Sequence, residues 1–124
     1  LKNLKKAGIA TYVYLIFGTP EETESAARKT LELTVQHSAF IDFLNLAIFN
    51  LPVCSPSSPG IERKGFSDGD LSLYTDFIHP HGWDRKRVRL FLEHEFRRHP
   101  SISAILNHEP PVFTSNHAPF FVMS

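Results

Sequence analysis

GIATYVYLIFGTPEE, residues 8 to 22, decides how the rest of this chain is read. Ile9 to Phe17 is apolar or β-preferring at every position, without polar alternation, which predicts a strand covered on both faces and hence a parallel sheet. Gly18 breaks the run, and Thr19-Pro20-Glu21-Glu22 then combines a threonine cap, a proline at the first helical position and a glutamate three residues after the cap. A helix is therefore predicted to start at this point. Strand carboxyl ends and helix amino ends meet at such a junction, which is where parallel α/β folds place their ligands.

Upstream, LKNLKKAGI reads as the last turns of a helix, with Lys2, Lys5 and Lys6 at its carboxyl end and Gly8 just beyond. The chain opens in mid-architecture, and the expectation is a piece of a longer protein. Downstream, Ala27, Thr30, Leu31, Thr34 and Val35 form one helical stripe to lie on a sheet, while Glu24, Arg28, Lys29 and Glu32 face water. This helix should end near His37 and Ser38. Ile41 to Phe49 is a second nearly continuous apolar run, so strand, helix and strand form a crossover unit. Its one polar interruption, Asn45, needs hydrogen-bond partners, and two readings stay open: a satisfied interior amide or a ligand contact.

From Leu51 to Gly60 three prolines and three serines mark an irregular connection that leaves the sheet. Leu71 to Ile78 alternates enough for a strand with one wet face, ended by His79-Pro80-His81-Gly82. Asp84 should cap a helix running to about Arg98 with Val88, Phe91, Leu92 and Phe96 buried, and Pro100 should stop it. A shorter helix is expected over Ile102 to Asn107. The aromatic tail VFTSNHAPFFVM must dock somewhere, and Ser115-Asn116-His117 within it suits a turn.

Composition narrows the function classes. A chain of 124 residues with 42% apolar and 21% charged residues suits one ordinary globular domain. Thirteen basic residues balance thirteen acidic ones, so no overall field draws in nucleic acid or anionic lipid. No run reaches the roughly 20 apolar residues of a membrane span. The single cysteine, Cys54, cannot form an internal disulfide, and a cytoplasmic location is expected.

YLIFGTPEE, followed by a crossover helix and DFLNLAIFNLP, resembles the late-barrel region of radical S-adenosylmethionine enzymes, in particular members that accompany a cobalamin-binding domain. Those enzymes share a partial (β/α) barrel with a late-strand pattern close to GxIxGxxE. Tyr14 to Glu21 matches it except that tyrosine stands at the first glycine. The resemblance covers about residues 1 to 56 and implies the late strands and crossover helix of such a barrel there. Residues 57 to 124 would be a mostly helical α+β extension packing on it. It further implies that Ile16 packs against the cofactor adenine, Gly18 permits close backbone approach and Glu21 fixes the turn, while Asn45 and Asn50 offer contacts to the same adenine.

The departure from the family is equally informative. Radical chemistry of this kind needs a CxxxCxxC loop whose three thiolates hold a 4Fe-4S cluster, and this chain has only Cys54. The resemblance thus implies S-adenosylmethionine and a 4Fe-4S cluster in a parent protein, neither bound tightly by this chain alone. The expected partners are the amino-terminal barrel and cluster domain of the same protein. Val13, Leu15, Leu46 and Ile48 need cover from the extension or from another copy, so oligomerisation or swapping of the isolated chain is also expected.

Seven histidines raise a metal hypothesis for His79, His81 and His94, but no diagnostic spacing supports it. Arg85, Lys86, Arg87, Arg89, Arg97 and Arg98 make a locally basic helix, which leaves an alternative function open. In that alternative the chain is a non-enzymatic module binding a protein or nucleic acid through residues 84 to 98, although nucleic acid is not the expected partner, and a solvated face or docking against the amino-terminal part explains the same charges. Glu21 and Glu22 argue against a phosphate site at the Gly18 turn. Cys54 lacks an activating neighbour, and Ser55 lacks a GxSxG elbow.

Overall fold

The structure is a computed structural model and describes residues 1–53, 61–64 and 72–108. Cys54, Ser55, Leu71 and the tail from residue 109 onward, with the turn expected at Ser115-Asn116-His117, lie outside the described residues. The fold is mixed α/β. A first helix, α1 (Lys2–Lys6), ends as its sequence predicts. Gly8 takes φ +71°, its N–H reaches Lys5 C=O at 3.1 Å, and Ile9 N–H reaches Leu4 C=O at 3.0 Å. That pairing closes the orphan carbonyls of a helix end through a left-handed residue, which glycine adopts without a Cβ clash.

Strand β1 (Tyr12–Phe17) pairs in parallel with β2 (Phe43–Ile48), in a register that sets Tyr12 opposite Phe43 and Phe17 opposite Ile48. Helix α2 (Glu24–Gln36) connects them, followed by one tight turn at Ser38–Phe40. Its buried stripe is the expected one: Ala27 and Thr34 are buried, and Leu31 and Val35 pack against the core. Its start is not. Thr23 is the cap, accepting Ala26 N–H at 3.1 Å, and residues 19 to 22 form a turn closed by Glu22 N–H to Thr19 C=O at 2.9 Å. Thr19 and Thr23 both carry a capping hydroxyl. The choice falls on Thr23 because the Glu22 carboxylate, which a capping box at Thr19 would require, is engaged elsewhere.

Beyond β2, a two-residue strand β3 (Leu51–Pro52) pairs antiparallel with β4 (Tyr74–Thr75), and Arg63 bridges to Phe77. The strand expected over residues 71 to 78 is thus much shorter within the described residues. Helix α3 (Arg85–Phe91) is capped by the Asp84 carboxylate, which accepts Arg87 N–H at 2.9 Å. It widens into a π turn at Leu92–Phe96, closed by Arg97 N–H to Leu92 C=O at 3.0 Å. Helix α4 (Pro100–Asn107) follows. Pro100 opens this helix at its first turn, where its missing N–H is not needed, with His99 as the cap.

One core unites these elements. Phe17, Ala27, Leu44, Trp83, Val88, Phe91, Leu92, Phe96, Ile102 and Ile105 are all buried in it. The Phe17 ring meets Phe96 edge-on at 5.3 Å, and Trp83 meets Phe91 at 5.6 Å. Each large side chain so buried contributes about 1.5 to 3 kcal/mol through removal of apolar surface from water. Val13, Leu15, Leu46 and Ile48 pack on the same cluster, so their cover comes from the helices of this chain.

Coverage differs between the two faces of the strands. Side chains of adjacent strand residues point to opposite faces. Val13, Leu15 and Phe17 with Leu44, Leu46 and Ile48 face the helices. Tyr12, Tyr14 and Ile16 with Phe43, Asn45 and Ala47 share the opposite face, where Tyr14 is 54% and Ile16 58% exposed while Phe43 is buried. Uniform hydrophobicity along a run signals two apolar faces, but does not say that both are covered within the same chain.

Candidate functional site at the carboxyl ends of the parallel strands

Strand β1 delivers the buried Phe17 and then Gly18 at φ +81°. A Cβ on Gly18 would lie 3.3 Å from Val88 Cγ2, so both conformation and space favour glycine here. The Gly18 N–H donates to Glu22 Oε2 at 2.5 Å, and the Trp83 indole N–H donates to the same oxygen at 2.8 Å. A buried indole needs an acceptor, and this carboxylate supplies it.

His79 completes the clasp. The backbone N–H groups of His81 and Trp83 donate to its Nδ1 at 3.1 and 3.3 Å, which leaves Nε2 as the protonated nitrogen that donates to Thr19 C=O at 2.8 Å. Both ring nitrogens of this buried histidine are therefore occupied, and neither presents a lone pair to a metal. Among the described residues no group of three or more His, Cys, Asp or Glu side chains is placed to hold a metal ion.

At the end of β2, Phe49 N–H donates to Phe17 C=O at 2.8 Å, and the Asn50 carboxamide oxygen accepts from Arg85. A cavity of about 100 Å³ opens here, lined by Gly18, Phe49, Asn50, Asp76, Phe77 and Arg85 among others. The sheet face turned away from the helices lies alongside. Tyr12 and Tyr14 ring centroids are 4.6 Å apart, Tyr12 stacks on Phe43 at 6.0 Å, and half-buried Asn45 stands in register with Tyr14.

The five residues implied by the resemblance separate into groups. Ile16 and Asn45 share that face, whereas Gly18 and Asn50 line the cavity at the strand ends. Glu21 is exposed and forms no hydrogen bond among the described residues; its neighbour Glu22 holds the turn. The Asn45 carboxamide also has no hydrogen-bond partner among the described residues. Sequence reasoning missed Glu22, His79, Trp83 and Arg85 as site-shaping residues. The usable signal was the lone tryptophan beside HPHG, since a buried indole demands an acceptor.

The opposite end of the sheet carries a second polar cluster. Thr11 N–H donates to Asp42 at 2.9 Å, the Thr11 hydroxyl donates to Phe40 C=O at 2.7 Å, and Lys5 pairs with Asp42. Burial works to raise the Asp42 pKa, but the hydrogen bonds from Lys5 and Thr11 outweigh it and hold the carboxyl below its ordinary value. On α3 and just beyond, Lys86, Arg87, Arg89, Arg97 and Arg98 are exposed and in no ion pair among the described residues.

No family model, curated protein or solved structure matches this chain. No helix among the described residues is long and apolar enough to cross a membrane.

Proposed function

We propose that this chain is the carboxyl-terminal portion of a radical S-adenosylmethionine enzyme, supplying part of the adenine pocket and not catalytically competent alone. One observation carries the reading. Among the described residues, the parallel β1–α2–β2 unit has its helices on one face, and its other face carries no charged side chain. A stave of a (β/α) barrel has this form, with helices outside and the free face turned to the lumen. The remaining staves and the cluster loop would come from the amino-terminal part of the same protein, and residues 57 to 124 would pack on the barrel as its extension.

The residues present fit an adenine-bearing cofactor in part. Ile16 offers exposed apolar surface one residue before the strand's end, Gly18 admits a close backbone approach, and Asn45 holds a donor and an acceptor that have no partner among the described residues. Asn50 presents its amide beside the cavity, although Arg85 occupies its oxygen. The cluster does not fit this chain, because one cysteine cannot replace three thiolates. When bound, S-adenosylmethionine and the cluster supply the radical chemistry; this chain's part is to bind and orient. Glu22, Trp83 and His79 hold the Gly18 turn in place through the bonds described above.

The coding sequence upstream of Leu1 tests the reading. A CxxxCxxC within about 200 preceding residues, the length needed to complete a barrel, is expected. Its absence would overturn the proposal, and steeply salt-dependent nucleic-acid binding would favour the basic-helix alternative.

A further inference from the structure

We infer that the groove beside α3 docks an acidic protein segment that presents an apolar side chain. The groove, of about 370 Å³, has Lys64, Arg85, Lys86 and Arg89 as its cations and Phe77 and Leu90 as its apolar lining. None of the residues assigned to the adenine lines it, so the inference does not depend on the reading proposed above. Charge complementarity selects the sign of the partner. The chain as a whole is balanced, yet residues 85 to 98 carry six of its thirteen basic residues against two carboxylates, Glu93 and Glu95. Glu95 is already paired with Arg28, and Asp84, which also lines the groove, accepts Arg87 N–H as the helix cap. Lys64, Lys86 and Arg89 are exposed and have no carboxylate partner among the described residues. An acidic segment brought here gains the counter-charges that these cations offer.

Leu90 sets the class of partner. It is 47% exposed, stands one turn beyond Lys86 on α3 and lines the groove together with half-buried Phe77. An apolar side chain seated over this pair removes apolar surface from water, which a run of phosphates does not do. Asp76 and Glu93 also line the groove and repel a phosphate chain at close spacing. A protein segment can set carboxylates against the cations, an apolar group on Leu90, and backbone N–H donors toward those two acids. The observations therefore favour a protein partner over nucleic acid.

A fluorescein-labelled peptide of glutamates around two central leucines, its counterpart with alanines in place of the leucines, and labelled oligouridine serve as probes. In anisotropy titrations of the full chain at low salt, the leucine peptide should bind about fivefold more tightly than either of the others. Leu90→Ala, at an exposed position, should weaken the leucine peptide about fivefold and leave the alanine peptide unchanged. Lys86→Glu and Arg89→Glu should each weaken both peptides about tenfold. Arg98→Glu makes the same charge change outside the groove and should weaken them less than about twofold. Dispersed amide spectra verify that each variant is folded. Absence of peptide binding, or equal losses from Arg89→Glu and Arg98→Glu, would overturn the inference, as would oligouridine binding as tightly as the leucine peptide. Nuclear Overhauser contacts to Leu90 from residues 65–71 in the free chain would also overturn it, by assigning the groove to the chain itself. An upstream sequence without CxxxCxxC defeats only the enzyme reading, and a failed peptide titration defeats only this one.

Discussion

Glu22 and Trp83, sixty-one positions apart, meet through one carboxylate oxygen, which takes the indole N–H at 2.8 Å and also the Gly18 N–H at 2.5 Å. The contact ties the turn after β1 to the approach of α3, so the local geometry of the strand end depends on a distant segment.

Removing that carboxylate should strand two donors at once. Glu22→Ala is expected to cost about 2 kcal/mol, read as a lower denaturant midpoint. Glu22→Gln, which keeps an acceptor oxygen, should lose less. Equal loss in both variants would show that the charge, and not the accepting oxygen, secures the turn.

Gly8 and Gly18, two of the three left-handed glycines among the described residues, separate conformation from space. Nothing lies within 4 Å of a Cβ on Gly8, whereas on Gly18 it would meet Val88 at 3.3 Å. Gly8→Ala should therefore cost about 1 kcal/mol from backbone strain alone. Gly18→Ala should cost about 2 kcal/mol or more, because Val88 must also move. Thermal melts of the pair give the comparison.

Much of the scaffold was legible because it rests on local signals. The two apolar runs, the Ala27 to Val35 stripe, the Asp84 cap and the Val88, Phe91, Leu92 and Phe96 face all follow from periodicity and capping chemistry. The start of α2 was not legible, since Thr19 and Thr23 offer competing caps and a long-range partner decides between them. Of the site, the position of Gly18 could be read from the turn, but the pairing of Glu22 with Trp83 leaves no trace at any fixed spacing. Nor does an unbroken apolar run reveal which of its faces the helices will cover.

Asp42 makes stability depend on acid. Its folded-state pKa is depressed, so its contribution is complete above the unfolded-state value of about 4 and disappears as the pH falls through the folded value. Asp42→Asn should lower stability at neutral pH by about 2 kcal/mol and flatten the pH dependence below about 4. Denaturant melts of both proteins across the acid range measure this, and parallel curves would exclude the mechanism.

Phe96 is fully buried against Phe17 and Phe91, while Leu90 on the same helical segment is 47% exposed. Phe96→Ala should cost about 3 to 5 kcal/mol through cavity formation. Leu90→Ala should stay within about 0.5 kcal/mol. Similar losses in both would contradict the packing described.

The wide turn at Leu92–Phe96 holds one residue more than a regular helix would use over the same height. It acts as slack in a thread: loss of one residue at Glu93 or His94, both turned to water, should return the segment to regular winding without unseating Phe96 below or the start of α4 beyond, whereas Glu95 is tied to Arg28 of α2. Length variation in this protein's descendants should collect at that loop of surplus chain, and the tightly wound Arg85–Phe91 should keep its count.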